Sequence, residues 1–162
     1  AYPMSQSIIL SIILSCFYCV APLLAQESSK AETVAIEAVV TGLFDAMRAN
    51  DSTQAAPLFH ESETLRSIGS SEEGVVLHET PIAAFVQAVG MPRETVWDER
   101  ITNLRIVQDG LMAMAWMDYS FYVDSQLHHC GVNAFTLIKT VGSWQIIQIT
   151  DTRREQDCPE RP

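Results

Sequence analysis

A carboxylate, a phenol and an imidazole crowd one stretch of this chain: Asp118, Tyr122 and His129, with Asn133 just beyond. If strand pairing brings Asp118 beside His129, the carboxylate fixes the imidazole tautomer and raises its pKa toward working pH, which makes a general acid/base pair. Tyr122 would then offer a hydroxyl to a developing oxyanion, and Asn133 would hold a carbonyl or hydroxyl of the ligand. The same Asp and His serve equally well as a satisfied polar contact on a strand face. In that case no chemistry follows.

The elements that would position these residues are three consecutive strands. Leu111–Val123, Leu127–Lys139 and Trp144–Arg153 alternate in hydrophobicity and are separated by Asp124-Ser125 and Val141-Gly142, which suit hairpin turns. A two-residue turn at Asp124-Ser125 sets Asp118 opposite Gly131, Ser120 opposite His129 and Trp116 opposite Asn133, so Asp118 and His129 become diagonal neighbours. Carried through the next turn, the register sets Asn133 opposite Thr150 and Phe135 opposite Gln148. The expected pocket face therefore carries Asp118, Tyr122 and His129 as reacting groups, and Trp116, Ser120, Asn133, Gln148 and Thr150 as ligand contacts. The opposite face carries Ala113, Ala115, Met117, Tyr119, Phe121, Val132, Ala134, Ile147 and Ile149. A one-residue slip at Asp124-Ser125 would exchange these faces and put His128 in the pocket in place of His129.

The ends and the composition bound the class. Residues 4–25 are uncharged around an apolar run and read as a secretory signal peptide, so the protein is expected to be secreted or periplasmic. An uncleaved membrane anchor is the competing reading, since Ile8 to Ala25 sits at the lower length limit for crossing a bilayer. Once that segment is removed, no stable membrane association is expected. The net charge of −10 disfavours nucleic acid and anionic surfaces. Of four cysteines, Cys16 and Cys19 leave with the leader; Cys130 and Cys158 remain, and in an exported chain such a pair suggests a disulfide, with two free thiols as the other possibility. The bond would tether the tail, residues 153–162, to the second strand of the meander. No metal site or cofactor is expected, because the one CxxC lies inside the apolar leader.

Upstream, Ser29-Lys30-Ala31-Glu32 has the spacing of a capping box before an apolar helical pattern, predicting a helix over about 30–49. Asn50-Asp51-Ser52 breaks it, and Thr53–Phe59 reads as a short second helix. Thr64–Ile68 and Val75–His78 form a hairpin pattern. Thr80 as cap with Pro81 at the first position starts a third helix over 81–89, and Asp98–Gln108 is a strand turning at Asp109-Gly110. His60 and His78 fall at element ends and read as surface residues. Arg153 and Arg154 could clamp an anion or pair within the tail, and the six methionines read as core and interface filler.

This order of elements places the chain in the α+β class. With the Asn50-Asp51 break followed by Ala55-Ala56-Pro57-Leu58-Phe59-His60, the closing Gly142-Ser143-Trp144-Gln145-Ile146, and the run His129 to Leu137, the chain over about 30–152 resembles the nuclear transport factor 2-like (SnoaL-like) superfamily, in an exported bacterial branch. The resemblance implies a cone: a strongly bent, mostly antiparallel sheet wrapped around three N-terminal-half helices, a cystatin-like roll with a pocket inside. It also implies that Trp144 and Ile146 point toward the helices. Three functions are expected to compete: an exported protein binding a small organic molecule, a cofactor-independent lyase or isomerase working through Asp118 and His129 on a small hydrophobic substrate, and a ligand-free interaction module. The apolar face opposite the pocket needs a cover, and a homodimer through that outer sheet face is expected.

Overall fold

The computed structural model describes residues 29–61 and 64–159, so the expected leader lies outside the described residues. The chain divides into two compact units, Ala1–Val34 and Ala35–Pro162. Of the first, the described part, 29–34, is helical; the second carries the sheet and the cavity.

Helix α1 covers 29–49, α2 is Ser52–Ala55 and runs into a 3-10 turn at Ala56–Leu58, and α3 is Ile82–Gly90. The break after α1 is made by Asn50 in a left-handed conformation, and Asp51 then caps α2 by accepting from the backbone N–H groups of Thr53 and Gln54 at 2.8 and 3.1 Å. The strands are β1 (Thr64–Ser71), β2 (Gly74–Pro81), β3 (Trp97–Asp109), β4 (Met112–Val123), β5 (Gln126–Lys139) and β6 (Trp144–Thr152). They form one curled sheet in the order β2-β1-β6-β5-β4-β3, parallel only between β1 and β6. Strand β2 continues through Pro81, so α3 begins one residue later than the Thr80-Pro81 signal predicts and has no side-chain cap.

Both expected turns form where the sequence puts them. Val123 pairs with Gln126 across Asp124-Ser125, both at positive φ, and Lys139 pairs with Trp144 across the loop holding Gly142. Each hairpin then departs from its expected register at a β-bulge. In β5 the extra residue is His128: Tyr122 pairs with Leu127, but Phe121 pairs with His129. In β6 it is Ile147: Leu137 pairs with Ile146, but Thr136 pairs with Gln148. A single inserted residue flips every side chain beyond it to the other face. Asp118 therefore sits opposite Val132, Ser120 opposite Cys130, Trp116 opposite Ala134, and Asn133 opposite Asp151.

The core follows from that exchange. Ala113, Ala115, Met117, Phe135, Leu137, Trp144, Ile146 and Ile149 pack with Ile36, Val40, Leu43, Phe44 and Met47 of α1. The residues expected on the outer face, Ala113 to Phe121 at odd positions of β4 and Ile149 of β6, are the inner face; Trp144 and Ile146 point inward as the resemblance implies.

Candidate functional site

Between the helices and the concave side of the sheet lies a cavity of about 450 Å³. Leu43, Phe44 and Met47 of α1 and Phe85 of α3 supply one wall; Phe121, Phe135 and Ile149 of the sheet supply another. Trp97 closes a side. Its ring carries the Arg93 guanidinium at 3.7 Å, and the same guanidinium donates to the carbonyls of Met47, Ala88 and Val89, so one arginine ties the ends of α1 and α3 to the start of β3.

A polar cluster lines part of the cavity. Asn133, buried, donates through Nδ2 to a Glu99 carboxylate oxygen at 2.6 Å. Burial pushes the Glu99 pKa up from 4.5 to about 7, Asn133 pulls it down, and the nearby Asp151 adds to the rise. Asp151 is itself buried, faces the Tyr119 hydroxyl at 3.0 Å, and lies 3.5 Å from the Arg153 guanidinium. The one Tyr119 proton is offered to Asp151 and to the Thr152 carbonyl at equal distance, and burial first, then the two carboxylates, drives the phenol pKa upward. His129 is buried beside Phe121, ring centroids 4.9 Å apart. Desolvation, reinforced by Arg153 and His128, lowers its pKa from 6.5 to about 4, so the imidazole is neutral near pH 7.

The tail completes this cluster. Arg153 donates its backbone N–H to Ile68 of β1 at 2.7 Å, Arg154 and Cys130 exchange two backbone hydrogen bonds, and Cys130 is bonded to Cys158. Gly131 makes the docking possible, because a Cβ there would collide with the Thr152 carbonyl and touch the Tyr119 ring.

Of the residues expected at the site, His129 and Asn133 face the cavity and Cys130 and Cys158 are joined. The structure moves the others. Asp118 lies on the outer face and accepts from Asn103 at 2.7 Å; Trp116 is 52% exposed; Gln148 donates to Thr150 at 3.1 Å on that same face. Ser120 and Tyr122 are buried with the same parity, Tyr122 under the Arg100 guanidinium at 4.4 Å. The pair Asp118–His129 is therefore not formed, and the physical reason is the His128 bulge between them. His78 and His128, expected at the surface or on the far side, line the cavity. His60 borders a separate hollow with Ile82 and Val86. Glu99, Tyr119, Asp151 and Arg153 were not singled out as a group by sequence; Gly131 inside a strand was the one available signal that another backbone approaches there.

Comparison with known proteins agrees with this architecture. Residues 31–150 match the model of the family described as "Putative lumazine-binding". The chain belongs to that family. Solved structures with the same fold as this lumazine-binding-like chain include a nuclear transport factor 2-like protein of unknown function from Shewanella baltica, at 20% identity and TM-score 0.59, covering 78% of this chain and 96% of that one. A function-unknown protein from Mycobacterium tuberculosis matches at 16% identity and TM-score 0.65, covering 81% and 76%. A protein from Novosphingobium aromaticivorans described as "Putative Scytalone Dehydratase" matches at 15% identity and TM-score 0.61, covering 84% and 93%. No curated protein matches the chain. These likenesses show that the chain has the nuclear transport factor 2-like, cystatin-like fold.

Proposed function

We propose that this protein holds a small planar heteroaromatic molecule in its cavity, with the ring against Phe44, Phe121, Phe135 and Trp97 and the polar edge toward Glu99, Asn133 and His129. The observation that carries the reading is one cavity of about 450 Å³ that is lined both by the rings of Phe44, Phe121, Phe135 and Trp97 and by the polar cluster Glu99, Asn133 and His129. That volume lies within the range of small-molecule pockets, in which a few polar groups fix orientation while the apolar walls supply affinity. The family description, "Putative lumazine-binding", names a ligand of this shape. Titration with a panel of planar heterocycles led by lumazine, followed by tryptophan fluorescence and calorimetry, tests it. Saturable binding that Phe121→Ala weakens at least tenfold is expected; no saturable binding across the panel, or binding indifferent to Phe121→Ala, sinks it.

A second reading, a cofactor-independent lyase or isomerase, has its own support. Glu99 titrates near 7 in the same cavity as a neutral His129, and titratable groups driven apart by burial are what acid/base catalysis needs. On this reading Glu99 takes the role that the sequence assigned to Asp118. Turnover of any substrate found by the panel must then fall with Glu99→Gln.

The bonded Cys130 and Cys158 support export to an oxidising compartment, and no helix among the described residues is long and apolar enough to cross a membrane. Homodimerisation through the outer sheet face now rests on different residues: Val107, Met112, Met114 and Trp116, all exposed there, in place of the alanine-rich set that fills the core.

A further inference from the structure

The bulge at His128 does more than shift a register: it turns two consecutive residues toward one cavity, which a regular strand cannot do. His128 is exposed at the mouth and His129 is buried inside. Their Nδ1 atoms lie 2.9 Å apart, and the two rings meet edge to face with centroids 5.1 Å apart. A contact of that length between two imidazole nitrogens is a hydrogen bond only if one Nδ1 carries the proton and the other accepts it. In a neutral pair the two remaining nitrogens must then have opposite roles, one Nε2–H donor and one Nε2 acceptor. Phe121 packs against both rings and holds them in register.

We propose that His128 and His129 form a proton relay between solvent at the cavity mouth and a ligand bound inside, serving molecules with an acidic ring N–H or hydroxyl. The relay rests on the pocket reading above. In the inward direction a water gives a proton to Nε2 of His128, the Nδ1–H of His128 passes to Nδ1 of His129, and the Nε2–H of His129 passes to the ligand anion. The hydroxide left outside, the protonated ligand inside and the exchanged tautomers balance the step, and both rings stay neutral throughout. The outward direction is the reverse. The groups facing the inner ring are Arg153, which with burial keeps His129 from charging, and the Tyr119 ring, in edge contact with centroids 5.7 Å apart; Glu99 and Asp151 line the same cavity.

The test is nitrogen-resolved imidazole NMR of the full chain near pH 7, for wild type and His128→Gln, a change at an exposed side chain. Expected in wild type are two neutral rings with opposite Nε2 roles and one proton shared between the Nδ1 atoms. In His128→Gln, exchange of the His129 ring proton with water is expected to slow at least tenfold. Two identical tautomers, a charged His128 beside a neutral His129, or unchanged exchange in the variant would each overturn the relay. Lumazine binding is measured on the same samples by fluorescence. Its failure speaks against the pocket reading alone, because the tautomers and exchange rates are read without ligand.

Discussion

Glu99 and His129 are displaced in opposite directions by the same burial, and their combined effect on stability is a cancellation that single substitutions should break. Glu99 has its folded pKa raised from 4.5 to about 7, so it binds a proton in the folded state that the unfolded chain has released. Stability from this group is complete below pH 4.5 and is lost as pH rises through 7, at about 1.36 kcal/mol per pH unit. His129 has its folded pKa lowered from 6.5 to about 4, so its contribution is complete above pH 6.5 and is lost as pH falls through 4. Between pH 4.5 and 6.5 the two slopes oppose each other. Glu99→Gln should leave the His129 slope alone, so that stability relative to wild type rises by about 2–3 kcal/mol across that window, and His129→Gln should make it fall by a similar amount. Urea unfolding at half-unit pH steps reads this directly. The comparison uses differences in slope, so a constant packing cost of either substitution drops out. Variant curves that run parallel to wild type from pH 4.5 to 6.5 would refute the burial argument for both groups.

Other parts of the structure give separate expectations. Cys158→Ser opens a loop of 28 residues and should cost about 3–4 kcal/mol of stability by chain entropy, read as a lower urea midpoint that reductant no longer changes. Gly131→Ala drives a methyl group against the Thr152 carbonyl and should cost more than about 2 kcal/mol and raise hydrogen exchange at Arg153 and Arg154; a neutral effect would mean the tail is not docked there. Trp116→Lys, at a half-exposed position, should leave monomer stability within about 0.5 kcal/mol while abolishing the proposed dimer in light scattering. A dimer that survives this change does not use the outer sheet face.

Element order, helix α1, both hairpin turns and the disulfide pair were legible because each rests on local chemistry: apolar periodicity, a capping sequence, turn residues at fixed offsets and a count of cysteines. The face of β4 was not. The parity of β5 was assigned correctly, so His129 and Asn133 fall in the cavity, but one bulged residue at His128 inverted the parity of β4 relative to it. The bulge at Ile147 did the same to Gln148 and Thr150, although Trp144 and Ile146, nearer the turn, kept their inward direction. Bulges carry little compositional signature, and here their cost is repaid by tertiary packing that a one-strand pattern does not register. Glu99 was hidden for a related reason: β3 has its own irregularity between Thr102 and Arg105, with Asn103 at positive φ, so alternation read from the Asp109-Gly110 turn does not reach Glu99 in phase.

The proposed site of a planar heterocycle is the cavity where Phe44, Phe121, Phe135 and Trp97 surround Glu99, Asn133 and His129. Chemical-shift mapping of the isotopically labelled chain during titration with lumazine tests it most directly, because it locates the ligand without assuming an activity. Saturable shifts are expected at Asn133, His129, Phe121 and the Trp97 indole, with none at Trp116, Asp118 or Thr150. Shifts confined to those outer-face residues, or none anywhere up to the solubility of the ligand, would contradict it.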